Sequence, residues 1–385
     1  MRAYVFTDKA LVKQAGQFAW LSIDIDSPKN AKFLEKFPTD AVPTFLLIDP
    51  KTEKAVLRWY GTVTVPQLQK LLEDGMSARN KLATGGTEGA MARADQLNVQ
   101  GKYVEAAAAY REALDAGGPK WSRFTRAAES MMLAYELSSD MVDGAKAAMD
   151  YAPKLPRGQS FVNMMRVGIR CAELEKQTTV NGQRQYSADT EHLKVLKPLA
   201  EEALKVPEGF ADDKADIYVT LISIARNTKD DAAVKKYATD MWAFLQQEAR
   251  TAPSAEGRAA LDGWRMSAAN YLNDPAMALP ALEASERDLP DDYNPPVRLA
   301  SVYTQLNRPN DALAAYKRAS TKAEGPRQVS ILLSCVAIYE KKGDKTAAKS
   351  TLEQALKVAE GLPEKQGTPY IARIKSQLAK YDAPR

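Results

Sequence analysis

A short pattern recurs in the C-terminal part of this chain: Ala278-x-x-x-Leu282, Ala312-x-x-x-Tyr316 and Ala348-x-x-x-Leu352, at intervals of 34 and 36 residues. Residues four apart share one face of a helix, so the alanine lets a neighbouring helix come close and the large residue packs across it. The interval holds two helices and two turns. A chain with this period stacks helical hairpins, each burying its apolar face on the next, rather than folding round one core. Gly101-Lys-Tyr103-x-Glu105-Ala106-x-x-x-Tyr110-x-x-Ala113-Leu114, with Pro119 beyond it, reads as one such hairpin. Asn307 to Ala319 and Gly343 to Leu356 repeat it, and weaker copies surround Ala145-x-x-x-Met149 and Ala233-x-x-x-Tyr237. Residues 176–211, with Asn181-Gly182 and Pro198, depart from the period. The expectation is about 14 or 15 helices between residues 88 and 380, with no strands.

Several function classes are excluded by composition. The 385 residues are 45% hydrophobic and 26% charged, which suits a folded chain, and the net charge of +4 has no basic tract to suggest nucleic acid. No apolar run approaches the roughly 18 residues of a membrane span. Cys171 and Cys335 are the only cysteines and His192 the only histidine, so no zinc, iron–sulfur or haem-attachment spacing exists and no metal or cofactor is expected. Phosphate loops, Gly-x-Ser-x-Gly elbows and His-Glu-x-x-His helices are missing as well. The opening Met1-Arg-Ala-Tyr-Val-Phe-Thr-Asp has no secretory character. As written the chain is expected in the cytoplasm; an upstream signal would place it in the periplasm or outside the cell.

Gly85, Gly86 and Gly89 mark a linker over residues 81–90, which separates a first domain, residues 1–80, from a helical domain, residues 91–385. Few contacts are expected to cross it, so the helical part should fold alone. In the first domain Phe18 to Asp26 reads as a buried strand, with Asp26 and Ser27 as a cap for a short helix through Phe33, Leu34 and Phe37. Thr44 to Ile48 and Ala55 to Tyr60 form a hairpin, and a helix from about Thr64 to Glu73 follows, giving the order α-β-α-β-β-α.

Two resemblances follow from these residues. The helical hairpins resemble the tetratricopeptide repeat (TPR), whose unit runs to about 34 residues. Residues 1–76 resemble the thioredoxin family through Trp20 to Asp26, Phe33-Leu-Glu-Lys-Phe37 and Val42-Pro-Thr-Phe-Leu-Leu-Ile-Asp49. The resemblance implies an α/β thioredoxin-like N-terminal domain, incomplete, followed by an all-α TPR-like solenoid. It also implies a cis bond before Pro43 and contact with a client peptide at Val42, Pro43 and Thr44. The family's Cys-x-x-Cys would lie upstream of Met1, together with a central strand whose absence leaves strand edges unpaired. As given the chain is redox-inactive. Either it is a late-start piece of a thiol-disulfide oxidoreductase, or the domain is a degenerate docking module on a non-enzymatic scaffold.

The remaining candidates have plain readings. Cys335 is expected as a buried thiol, Cys171 beside Arg170 would reach a pair with His192 only by a specific fold-back between helices, and His192 is expected on a solvated helix face. The pair Asp24 and Asp26 belongs to a strand end, and Trp121, Trp242 and Trp264 to packing between repeats. The repeat offsets turn Asp95, Asn98, Ser301, Thr304, Gln305, Glu340 and Lys341 toward a concave surface that would hold a protein or peptide partner. The Lys, Asn and Arg set by which some relatives of the repeat hold a terminal carboxylate has no counterpart here.

Overall fold

The structure is a computed structural model that describes residues 5–6, 8–25, 27–39, 41–78, 85–180, 183–187 and 190–382. Its N-terminal part contains α1 (Val12–Ala15), α2 (Ala31–Lys36), β1 (Thr44–Asp49), β2 (Lys54–Tyr60) and α3 (Val65–Ala78). Strands β1 and β2 pair antiparallel, Thr44 opposite Tyr60 and Leu47 opposite Leu57, with an irregularity between Leu47 and Ile48. Leu57, Trp59, Val63, Leu68, Leu71 and Leu72 form the apolar core beneath them, with Phe18, Phe45 and Leu47 at its margin.

This part departs from the thioredoxin-like α/β expectation. Among the described residues the sheet has two strands, and Trp20 to Asp24 run without a ladder. A lone pair of strands buries little by itself, and here it is covered by helices instead. The Val42–Pro43 peptide is cis, as the resemblance implied. Asp26, assigned above to a cap, lies outside the described residues.

Downstream, α4 (Gly86–Val99) pairs with α5 (Tyr103–Gly117), α6 (Phe124–Ser138) with α7 (Met141–Tyr151) and α8 (Gln159–Leu174) with α9 (Thr190–Ala203), followed by α10 (Ala211–Asn227) and α11 (Asp231–Thr251). Then follow α12 (Ala255–Ala260), α13 (Asp262–Tyr271), α14 (Leu279–Asp288), α15 (Asn294–Gln305), α16 (Pro309–Ser320), α17 (Gly325–Lys341), α18 (Lys345–Glu360) and α19 (Glu364–Asp382). The chain divides into two compact units, Met1–Tyr237 and Ala238–Arg385, rather than at the glycines. Of the expected linker, residues 81–84 lie outside the described residues, and from Gly86 the chain is already helical.

The hairpin turns share one construction. The residue after the first helix takes positive φ at Gly101, Ser139, Lys229, Asn273, Asn307 and Gly343. The next N–H then reaches back to a carbonyl five residues earlier: Lys102 to Leu97, Asp140 to Tyr135, Asp230 to Ala225, Asp274 to Ala269, Arg308 to Tyr303 and Asp344 to Tyr339, at 2.8–3.0 Å. These bonds satisfy carbonyls that a helix end leaves free. Asp140, Asp230 and Asp344 then cap the second helix through the N–H groups of Asp143, Ala233 and Ala347.

Small residues set the spacing, as the period implied. Ala106, Tyr110 and Ala113 are fully buried in α5, and a Cβ on Gly168 of α8 would lie 2.3 Å from Ala148 of α7. The strand-free expectation fails at one place. Residues 176–211 are interrupted by an antiparallel hairpin, β3 (Lys176–Val180) with β4 (Gln183–Ser187), inserted between α8 and α9. Helix α9 accommodates Pro198 within its length.

Candidate functional site

Helix α3 starts with Thr64-Val-Pro-Gln67, and the two polar ends cap it reciprocally: Thr64 N–H donates to Gln67 Oε1 at 2.8 Å and Gln67 N–H to Thr64 Oγ1 at 3.3 Å. That fixes the Gln67 side chain and leaves its amide N–H groups to point outward. They donate to Glu129 Oε1 and Oε2 of α6 at 2.9 and 3.2 Å, and reach Ser160 of α8 at 3.4 Å. Helix α3 is thereby bonded to α6 and α8, the first helices of the second and third pairs.

One turn further along α3, Lys70 donates to the Ser122 carbonyl. Asp74 forms ion pairs with Arg123 Nε at 2.8 Å and Arg126 Nε at 2.6 Å. Arg126 is buried and also grips Asp95 through two bonds of 3.0 and 2.7 Å, while Tyr110 donates to the same carboxylate at 2.7 Å. Arg123 continues to Glu88 at 2.5 Å, whose other oxygen accepts from Trp121 at 2.9 Å. Below this cluster Asn98 Nδ2 donates to the Arg58 carbonyl of β2 at 3.2 Å, and the Tyr60 and Tyr103 hydroxyls meet at 2.7 Å.

These contacts overturn the expectation that few would cross from residues 1–80 into the helices. They also relocate two candidate residues. Asp95 and Asn98 are 5% and 4% exposed, held by Arg126 and by the β2 backbone, so neither faces a groove open to a partner. Around them lie groups of the chain's own N-terminal part, Asp74 by way of Arg126 and the Arg58 carbonyl.

Charge is handled differently at each buried group. Burial pushes the Glu129 carboxyl up to about 8, against the hydrogen bonds from Ser160, Gln67 and Asn163 that pull it down. Burial works against the Arg126 charge, but Asp95 and Asp74 outweigh it and its pKa is raised. Arg166 of α8 is ringed by Glu136 at 3.0 Å, Asp213 at 3.5 Å and Asp216 at 3.4 Å, with the same balance. These groups form a polar track on α6, α8 and α10. Sequence reasoning missed it because partners 30 to 50 positions apart carry no local signature.

In the second unit Ser301 is half-buried, while Thr304, Gln305, Glu340 and Lys341 are exposed on α15 and α17, the first helices of their pairs. Thr304 bonds back to the Ala300 carbonyl at 2.7 Å, and Glu340 accepts from Tyr381 of α19 at 2.6 Å. A cavity of about 510 Å³ is lined by Glu256, Asp288, Asp291, Asp292, Asn294 and Arg298. Val42 and Pro43 are exposed, and Thr44 is tied to the Ala41 carbonyl and to Thr39 at 2.6 Å.

Cys171 and Cys335 are free and buried, one in each unit, and burial pushes their thiols up to about 12 and about 11. Neither has a resolving thiol three residues away. His192 is not on a solvated face: its Nδ1 lies 2.6 Å from Glu175 Oε2. Among the described residues no group of three or more His, Cys, Asp or Glu is placed to hold a metal ion, and no helix is long and apolar enough to cross a membrane.

The model of the tetratricopeptide repeat matches residues 337–361, the end of α17 and all of α18. No curated protein matches the chain. Among solved structures, BtubC from P. vanneervenii is 14% identical, covering 58% of this chain and 89% of its own with a TM-score of 0.40. A tetratricopeptide repeat protein from Parabacteroides merdae is 11% identical over 75% of this chain and 98% of its own, with a TM-score of 0.39. Acl4, described as the assembly chaperone of RpL4, is 13% identical over 77% and 98%, with a TM-score of 0.35. At these scores none carries a functional argument. The helical pairs of this chain are TPR-like, with the repeat's own signature at residues 337–361.

Proposed function

We propose that this chain is a non-enzymatic binding scaffold, whose TPR-like helical pairs hold a protein or peptide partner on the faces of their first helices. One observation carries the reading: such a face already holds a helix. On α6 and α8 it receives α3 through Gln67 and Asp74, so its polar groups suit a helical segment. On the corresponding helices of the second unit, α15 and α17, Thr304, Gln305 and Lys341 are exposed. Ser301, Thr304, Gln305, Glu340 and Lys341 are the proposed partner-facing residues. The cysteines are packing residues, and the redox chemistry implied by the thioredoxin resemblance has no groups here to carry it.

A photo-crosslinking amino acid at Gln305 and at Lys341, with Glu105 on α5 as the control, tests the reading in the full chain. The same protein should be captured at Gln305 and Lys341 and not at Glu105, and Thr304→Arg should reduce capture at Gln305 several-fold. Equal capture at Glu105, or none at either test position, overturns it.

A further inference from the structure

The cavity of about 510 Å³ in the second unit is an acidic pocket at one end of the proposed partner face. Arg298 on its wall precedes Ser301 and Gln305 by three and seven positions, so the three share one side of α15. The volume falls within the roughly 300 to 1,000 Å³ of ligand clefts. Glu256 of α12, Asp288 at the end of α14, and Asp291 and Asp292 of the turn that follows line it. The carbonyl end of α14 adds a helix's negative pole. Asp292 is partly spent on the N–H and Nδ2 of Asn294, both at 2.8 Å, and Asp288 pairs with Arg258 at 3.2 Å. Glu256 and Asp291 stand exposed at the rim.

Arg298 does not cancel this charge. Its Nη1 donates to the Ala259 carbonyl at 2.9 Å and lies 3.7 Å from Asp262 Oδ2. Asp262 is fully buried behind it, and among the described residues that oxygen accepts no hydrogen bond. Arg298 thus answers to a carboxylate behind the wall, and the four in front keep their surplus. The surplus is regional: residues 238–292 carry ten acidic and four basic side chains, whereas residues 293–385 carry eight and sixteen. Between the carboxylates the wall is apolar at Ala260, Leu289 and Pro290, which suits the stem of a long basic side chain. A bare metal ion has no use for such a wall, and among the described residues no group of acids converges as a metal site requires. Guanidinium groups already fit here, Arg258 on Asp288 and Arg298 on the Ala259 carbonyl. A planar fork of five N–H donors meets several spread acceptors, where an ammonium is a single point of charge.

We propose that this cavity seats an arginine side chain of the partner segment held on α15, its stem on Ala260, Leu289 and Pro290 and its guanidinium between Glu256 and the carboxylates of the turn. The inference rests on the scaffold reading and deepens it by naming the partner's chemistry. The probe is a fluorescein-labelled alanine–glutamine peptide with one central arginine, added to the full chain and followed by fluorescence anisotropy. Its twin carries citrulline, which keeps the shape and removes the charge. The arginine peptide should bind saturably, and the citrulline peptide about tenfold more weakly. Glu256→Gln and Asp291→Asn should each weaken binding about twofold to fivefold with unchanged circular dichroism. Glu353→Gln, at an exposed acid of α18, should change nothing. Equal binding of the two peptides, binding of neither, or an equal loss in Glu353→Gln overturns the proposal, and the peptide comparison needs no variant to fold. Capture at Gln305 and Lys341 reads the scaffold separately: with capture intact and no preference for arginine, the arginine seat alone is overturned.

Discussion

Replacing Glu129 by Gln should stabilise the protein at neutral pH, and the gain should grow with pH. Glu129 sits under α3 with its carboxyl pushed up to about 8 by burial, from an ordinary value of 4.5. Between those two values the folded chain binds a proton that the unfolded chain has released, so stability falls as pH rises from 4.5 toward 8 and levels off above it. At about 1.4 kcal/mol per pH unit, the loss is under about 1 kcal/mol at pH 5, about 3 at pH 7 and about 5 above pH 8. Glutamine has the same shape and no charge to desolvate, and it can still accept from Gln67 and donate toward Ser160 and Asn163. Urea denaturation followed by circular dichroism at pH 5, 7 and 8.5 measures the difference between the two proteins. A Glu129→Gln chain no more stable than the parent at pH 7, or a difference that does not grow with pH, would falsify the claim that this carboxyl is buried as the neutral acid.

Three further outcomes are expected. Ser139→Gly should raise stability by about 0.5 to 1 kcal/mol, because Ser139 holds φ 59° at a hairpin turn where a Cβ is unfavourable; an unchanged urea midpoint refutes it. Gly168→Ala should cost about 1 to 3 kcal/mol, since the added methyl meets Ala148, whose short side chain cannot move aside; thermal melting reads it, and a neutral result means α7 and α8 separate easily. With thiols pushed up to about 12 and about 11, Cys171 and Cys335 should resist Ellman's reagent in the native chain at pH 8 and react within minutes in urea. Rapid native labelling of either would show that its helix opens.

The helical pairs were legible because a small and a large residue four apart, repeated every 34 to 36 positions, has few other physical solutions. The turns were legible where glycine or asparagine marks them, at Gly101, Asn307 and Gly343, and hidden at Ser139 and Lys229, where the back-bonded carbonyl and the following aspartate impose a conformation the residue itself disfavours. Asn181-Gly182 is the sort of dipeptide that closes a two-residue hairpin, and flanking Thr178-Thr-Val180 supplied β-branched residues; reading the region only against a helical period obscured both. The N-terminal part illustrates the reverse error. Val42-Pro-Thr located the cis turn and β1, but local motifs could not reveal that Asn98, Tyr103 and Arg126, from another part of the chain, would cover β2 and α3. The offsets turned Asp95 and Asn98 toward a partner-facing surface, and the structure buries both. Their burial depends on Asp74 and Arg58, 21 and 40 positions earlier, and no spacing rule connects them.

The seat of α3 on the helical pairs has a competitive consequence. Residues 79–85 join α3 to α4, and so short a tether holds its cargo at an effective concentration on the order of millimolar. A free segment making the same contacts, present at micromolar concentration, starts at a disadvantage of about a thousandfold, or about 4 kcal/mol. Any ligand seeking that face must therefore either bind far better than α3 does or first undo the Asp74 ion pairs. On the proposed reading, the tether makes the faces of α6 and α8 selective by rank order of affinity.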